Sequence, residues 1–463
     1  MKIVKYLLFF LLLFIFVNFL FLSFDVLFYK FDIDFSESFM FYPLKNLDKG
    51  IPIYHNPYEY PYNIIKYPPI FYLISYPFYK IFGLNLFSLR IVSAIFFLLT
   101  LIVLFKFLLN IKRDIVSSLT FSLFPVATTV VFWQTFQARL EWVAMFFSIF
   151  SIFLSYKYMA KKNDTIFYLA LISATLALLV KQTFFVSLLS IIVFNRNKLF
   201  QILKFGAVLI AILTAFNYYT NNNFLLHLTE FSKGFLEPRI QLINSIYLQY
   251  TLLFSFSFLP IFIIKNKNYN LIKMCFVISL IFNLIILLKS GSWIYYILEP
   301  IFYSSILLYI LFIRAENVLK IGLITALIIS IVIWNFYDSR ISMYMFNRNN
   351  YQPLLNYKSD LKIESYVKKN NGNCYVEHAS YLLPYNKILP ESWAIIELFK
   401  NGIIGEDSFR FINNYNCLIF YDRIWLFPQI HKTLSSYELK ERIPWKDLSF
   451  NEKSFFVYEI KQH

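Results

Sequence analysis

The sequence predicts an α-helical polytopic membrane protein of about eleven transmembrane helices, followed by a small C-terminal α/β domain. Three observations carry that expectation. Of the 463 residues, 59% are hydrophobic and only 15% charged, against roughly 25% charged in a soluble domain. Apolar runs as long as the ~18 residues that cross a hydrocarbon core recur along the first 335 positions. Beyond residue 340 the chain turns polar and breaks into short helical and strand-like periods.

Taken in order, apolar runs bounded by charged or Asn-rich turns place spans near 3–24, 86–109, 115–133, 141–159, 166–180, 183–195, 199–217, 243–264, 270–288, 294–313 and 318–335. The run from Ile3 to Ser23 lacks a small-residue cleavage site and is too long for a signal-peptide core, so it reads as a span. The formal charge of +16 would suggest nucleic acid in a soluble protein. Here the basic residues fall in alternate short loops: Lys2 and Lys5; Lys106, Lys112 and Arg113; Lys157, Lys161 and Lys162; Arg196, Lys198 and Lys204; Lys265, Lys267 and Lys273; Arg314 and Lys320. That alternation is an orientation signal, and no nucleic-acid partner is expected. It puts the N-terminus in the cytoplasm, and puts the loop 25–85 and the tail 340–463 on the extracytoplasmic side. The domains are thus 1–339, transmembrane with its first outer loop, and 340–463, extracytoplasmic.

Within the first outer loop, Glu37 to Lys49 and Ile70 to Phe82 have the amphipathic, aromatic pattern of helices lying in the interface, the second stopped by Gly83. The proline-rich stretches around Pro52, Pro57 and Pro68-Pro69 join them as ordered loop. In the tail, 358–369 and 392–401 read as helices, and 374–376, 417–421 and 455–460 as strands. Cys275 lies in a span, which leaves Cys374 and Cys417 as the one pair outside the membrane. Each sits in an apolar run typical of a buried strand, which favours two core thiols over a disulfide.

The residues with chemical potential lie on the outer side. Asp32, Asp34 and Glu37 follow the first span, and carboxylates at a bilayer edge suit proton abstraction from a hydroxyl or binding of a divalent cation. They equally suit a structural role, with Asp34 or Ser36 as helix N-cap and Glu37 in the first turn. Arg139 and Glu141 head one span and Lys181-Gln182-Thr183 forms another outer turn, where the positive-inside rule asks for no cation. Arg and Lys there suit a phosphate, though a snorkelling cation or an Arg139–Glu141 pair is the plainer alternative. Lys66, Tyr67 and Arg90 add to the same face. The run Lys289 to Glu299 supplies Gly291, Tyr295, Tyr296 and a carboxylate, Glu299, inside an apolar span.

In combination these pieces resemble the GT-C superfamily of integral membrane glycosyltransferases, which includes protein mannosyltransferases, the aminoarabinose transferase of lipid A and Rgt-type enzymes. The resemblance runs through Asp34-Phe35-Ser36-Glu37, Gly50 to Tyr54, Tyr67-Pro68-Pro69, Phe82-Gly83, Arg90 to Ala94, Arg139-Leu140-Glu141, Leu179 to Thr183 and Gly291 to Glu299. It implies transfer of a sugar, with inversion, from a polyprenyl-phosphate donor to a glycan, lipid or protein acceptor on the outer face. It also implies Asp34 or Glu37 as catalytic base and Glu141 as second acid. Lys66, Arg90, Arg139 and Lys181 would hold the donor phosphate, with Tyr67, Gln182, Tyr295, Glu299 and the tail residue His378 as substrate contacts. A divalent cation is the candidate cofactor and membrane lipid a further partner. Ser36 stands where the family has the first acid of an adjacent Asp-Glu pair. The competing classes are a flippase for lipid-linked sugars, which calls for repeats and midplane charges not seen in the sequence, and a non-catalytic membrane assembly subunit.

Overall fold

A computed structural model describes residues 2–33, 37–59, 63–128, 130–131, 136–229, 240–288, 294–337, 357–385, 412, 414–421, 436–446 and 452–460. In chain order the helices are α1 (Lys2–Phe28), α2 (Phe41–Asp48), α3 (Ile70–Phe82), α4 (Leu86–Ile111), α5 (Ile115–Leu123), α6 (Glu141–Lys161), α7 (Asp164–Val180), α8 (Val186–Phe194), α9 (Leu199–Tyr219), α10 (Asn223–Thr229), α11 (Ile240–Ile263), α12 (Asn270–Ile286), α13 (Leu298–Arg314), α14 (Asn317–Tyr337) and α15 (Tyr357–Lys369). Among the described residues, six helices are long and apolar enough to cross a membrane, and four more are apolar but shorter. Every expected span has a helix at its position. Helix α8, with nine residues, is too short to cross by itself.

Burial of apolar surface cannot draw helices together in lipid, so close packing and polar contacts must. The tightest pair, α6 and α7, shows how. Ala170, Ser173, Ala174 and Ala177 repeat at helical spacing on the buried face of α7. Ser173 donates across the pair to the Phe147 carbonyl at 2.8 Å. Polar residues fix the helix starts: Asn85 accepts from the Ser88 amide, Asp114 from Ser117 and Asn163 from Thr165.

Cross-links between loops show which helix ends share a face. Lys5 pairs with Asp114 at 2.8 Å, Lys198 with Asp164 at 2.9 Å, and the Tyr309 hydroxyl donates to the Lys112 carbonyl at 2.9 Å. These join the loops that the charge pattern assigns to one side. At the opposite end, α2 and α3 form a short helical pair tied by Lys80 to Asp48 at 2.5 Å. Gly83 closes α3 with φ +79°, its N–H donating to the Tyr79 carbonyl at 2.8 Å. The expected Asp34 or Ser36 cap lies outside the described residues. Asp32 accepts from the Ser38 amide at 2.9 Å and from its hydroxyl at 2.7 Å, taking the capping place.

The tail holds a four-stranded sheet ordered β1-β2-β4-β3, from β1 (Cys374–Val376), β2 (Cys417–Tyr421), β3 (Tyr437–Lys446) and β4 (Glu452–Ile460). Strand β1 runs parallel to β2 and the other pairs are antiparallel. Cys374 and Cys417 face each other in register and form a disulfide. Two core thiols were the favoured expectation, and it is corrected: buried apolar runs on neighbouring strands are also where two Cα atoms come within bonding range, here 4.6 Å. Strand β3 was not foreseen. It is the sheet edge, rich in charge and carrying Pro444, and edges are where such residues belong. The expected helix 392–401 lies outside the described residues.

The tail docks on the first loop. Asp360 accepts from the hydroxyls of Tyr29 and Tyr381, Lys30 pairs with Glu364 at 2.7 Å, and the Asp32 amide donates to the Ser380 hydroxyl at 3.0 Å. Burial, joined by the Glu37 carboxylate, pushes Asp32 up to about 7 against hydrogen bonds from Ser38 and Ser380. A raised folded value means that the native state binds the proton more tightly than the unfolded chain. Its stabilising contribution is therefore full below pH 3.8 and is lost as pH rises through about 7. Thermal unfolding followed against pH should show that decline, and Asp32→Asn should flatten it. A second expectation concerns Gly372, at φ +70° between α15 and β1, where an added Cβ would enter the Tyr385 ring. Gly372→Ala should destabilise the tail by about 1–3 kcal/mol, read as faster proteolysis of the tail in the full-length protein.

Candidate active site

On the face of the first loop, helix starts and loop segments converge on one buried cluster. Glu141 opens α6, where the positive end of the helix dipole favours a carboxylate. Its Oε1 accepts from Lys181 Nζ at 2.8 Å, and its Oε2 lies 4.0 Å from Arg139 Nε. Lys181 ends α7 and is 1% exposed. Three tyrosines surround its ammonium: the ring centres of Tyr295, Tyr296 and Tyr67 lie 4.5, 4.6 and 6.0 Å from Nζ. Arg139 stacks over Tyr295 at 4.7 Å. Two buried cations thus meet Glu141 and an aromatic wall in a low-dielectric site.

Residues 64–67, without regular secondary structure, lie against this cluster as a strap. Gln182 Nε2 donates to the Lys66 carbonyl at 3.0 Å, and the Tyr54 hydroxyl donates to the Tyr67 carbonyl at 2.7 Å. Burial raises the Tyr67 hydroxyl well above its ordinary value, with Tyr296 and Glu141 adding to the shift, so it stays a neutral donor. Glu141 Oε2, Gln182 Oε1 and Thr183 Oγ1 are buried and make no hydrogen bond among the described residues. Such atoms are costly unless a ligand or water meets them.

Glu299 stands in the first turn of α13, where it accepts from Ser148 at 2.8 Å. Ser148 and Tyr303 are likewise 2.8 Å apart, and Lys181 lies within electrostatic reach of Glu299.

Two expectations change. Glu37 and Arg90 are both fully buried and bind each other through two hydrogen bonds of 2.9 and 2.7 Å. The remaining Arg90 donors go to the carbonyls of Val26, Tyr29 and Phe31. All five guanidinium N–H groups are thereby used, so Arg90 has none for a phosphate. Glu37 also accepts from the amides of Ile33 and Ala138, each at 2.7 Å. A carboxylate so engaged is a poor base. Together the two residues pin the first loop to the segment before Arg139. The second concerns His378. It is buried in the tail, edge-on to Phe455 at 5.1 Å.

Asp34, with Gly291 of the later tyrosine segment, lies outside the described residues. Arg139, Glu141, Lys181, Gln182, Tyr67 and Tyr295 are brought together, with Lys66 present through its backbone. Ser148 and His227 escaped the sequence reading, since a lone serine or histidine in an apolar helix carries no periodic signal. Ser93 sits in the quoted Arg90-to-Ala94 run without having been assigned a role, and it donates to the Arg139 carbonyl at 2.8 Å.

Residues 66–219 match the family model for dolichyl-phosphate-mannose-protein mannosyltransferases. Two solved structures share the fold: ArnT from Cupriavidus metallidurans bound to undecaprenyl phosphate, at 13% identity and TM-score 0.60, and the same protein in the apo state, at 12% and 0.55. Each alignment covers 95% of this chain and 97% of ArnT. The chain thus shares the ArnT fold along nearly its whole length and resembles the mannosyltransferase family over residues 66–219. No curated protein matches it in sequence. The matched segment begins at the strap and contains Arg139, Glu141, Lys181 and Gln182, so the family similarity covers most of the cluster.

Proposed function

We propose that this chain is a GT-C-type inverting glycosyltransferase that moves a sugar from a polyprenyl monophosphate to a hydroxyl acceptor on the extracytoplasmic face. The observation that carries the reading is the gathering of two buried cations, Lys181 and Arg139, about Glu141 beneath the Lys66–Tyr67 strap. A site with two buried cations and aromatic walls suits a sugar phosphate, and the similar ArnT was solved with a polyprenyl phosphate bound.

In this reaction the acceptor oxygen attacks the anomeric carbon as the bond from that carbon to the phosphate oxygen breaks. The electron pair leaves on the polyprenyl phosphate, and one displacement inverts the centre. Lys181 and Arg139 offset the charge that develops on the leaving phosphate. Glu141 holds both cations in place, and its Oε2, with Gln182 Oε1, offers acceptors to sugar hydroxyls. With Glu37 engaged by Arg90, the base assignment passes to Asp34, which takes the acceptor proton. Among the described residues no three His, Cys, Asp or Glu side chains stand together as metal ligands, and no step is routed through a cation.

The orientation is part of the proposal. Clustered basic loops at the far end favour the cytoplasm there, and the Cys374–Cys417 disulfide fits an oxidising compartment for the tail.

The test is transfer from synthetic polyprenyl-phosphate sugars by the purified protein in lipid nanodiscs. Asp34→Asn should lower turnover by about 100-fold or more with little change in donor KM. Turnover within threefold of wild type would remove Asp34 from the base role. Absence of transfer from every polyprenyl-phosphate sugar offered would overturn the reading itself.

A further inference from the structure

The strap 64–67 has a third tie, which comes from outside the cluster. His227, in α10, is fully buried. Its Nδ1 accepts from the Ile65 amide at 3.0 Å, and its Nε2 donates to the His55 carbonyl at 2.8 Å. The ring sits beside Tyr54, with centres 5.6 Å apart, and Tyr54 is the residue whose hydroxyl holds Tyr67. One imidazole therefore bridges two parts of the first loop, and the amide it holds belongs to the residue before Lys66.

We infer that His227 is a positioning residue for sugar transfer: its neutral ring fixes the strap so that Lys66 and Tyr67 lie over the Lys181–Glu141–Arg139 cluster. The inference rests on the proposed function for its catalytic meaning and on geometry alone for the tie. Only a neutral ring, with its proton on Nε2, can accept from Ile65 and donate to His55 at once. Burial keeps it neutral by pushing the imidazole down to about 4, with the His55 carbonyl bond acting against that shift and the nearby His55 ring adding to it. Without the tie, the strap keeps the bonds from Gln182 and Tyr54 but loses its link to α10. A loop segment gains freedom when one of its hydrogen bonds goes. Misplacement of a substrate-holding group by even 1 Å is costly.

Hydrogen exchange on the full-length protein in nanodiscs, read on a peptide spanning residues 63–67, tests the tie directly. His227→Leu should speed exchange there about tenfold or more and raise donor KM about tenfold while leaving kcat within threefold. His227→Gln, whose amide supplies an acceptor and a donor side by side, should stay within threefold of wild type in both measurements. Should the leucine variant not fold, His227→Asn serves, because its shorter side chain cannot span both partners and should loosen the same peptide. Unchanged exchange in a folded leucine or asparagine variant overturns the tie. Faster exchange with unchanged donor KM overturns the positioning role. Absence of transfer by the wild-type protein overturns the proposed function instead, and the exchange measurement still decides the tie.

Discussion

Arg90→Met will cost the fold about 3–5 kcal/mol, the usual loss when one partner of a buried ion pair is removed. The variant leaves Glu37, fully buried, facing the Ile33 and Ala138 amides without its counter-charge, and strips donors from three loop carbonyls. Arg90→Lys should rescue little, because one ammonium has three donors where the guanidinium uses five. The double variant Arg90→Met with Glu37→Leu should recover part of the loss, since it removes the orphaned charge but not the orphaned carbonyls. Thermal unfolding of detergent-purified protein measures all three. Equal stability of Arg90→Met and wild type would show that the pair is not the anchor of the first loop.

Lys181→Ala will lower sugar transfer by about 100- to 1000-fold, the range typical for removal of a preorganised charge from a low-dielectric site. Lys181 hydrogen-bonds Glu141 and sits against the tyrosine wall. Its loss removes charge from the site and frees the Glu141 carboxylate. Arg139 at 4.0 Å still faces that carboxylate, so the variant should fold. Lys181→Arg should retain more activity than Lys181→Ala, though not full activity, because a planar guanidinium does not fit a position enclosed by three rings as a compact ammonium does. Turnover assays on variants matched for melting temperature decide this. Lys181→Ala within threefold of wild type would take Lys181 out of the phosphate site and leave the cluster as a structural ion pair.

Much of the architecture was legible because lipid imposes a simple rule: apolar runs of spanning length must be helices. The spans, the stop at Gly83, the α15 helix and three of the four strands follow from length, periodicity and a few special residues. Strand β3 was hidden because a charged edge strand carries the weakest alternation in its sheet. The composition of the site was legible too. Arg139, Glu141 and Lys181 stand where neither hydropathy nor loop charge explains them, and unexplained charge near a membrane rim is a functional signal.

What the sequence by itself determined was the set of helices, their alternation between two faces and the short inventory of charges on one of them. What only the tertiary structure decided was how those charges pair. From sequence, Glu37, Arg90, Arg139, Glu141 and Lys181 are five ionisable groups on one rim. In three dimensions Glu37 and Arg90 close on each other as a buried anchor, while Glu141 gathers Lys181 and Arg139 into a separate cluster beside the tyrosine wall. Pairing depends on angstrom distances between helices far apart in sequence. No local pattern records these distances, yet they determine whether a buried charge is satisfied or available.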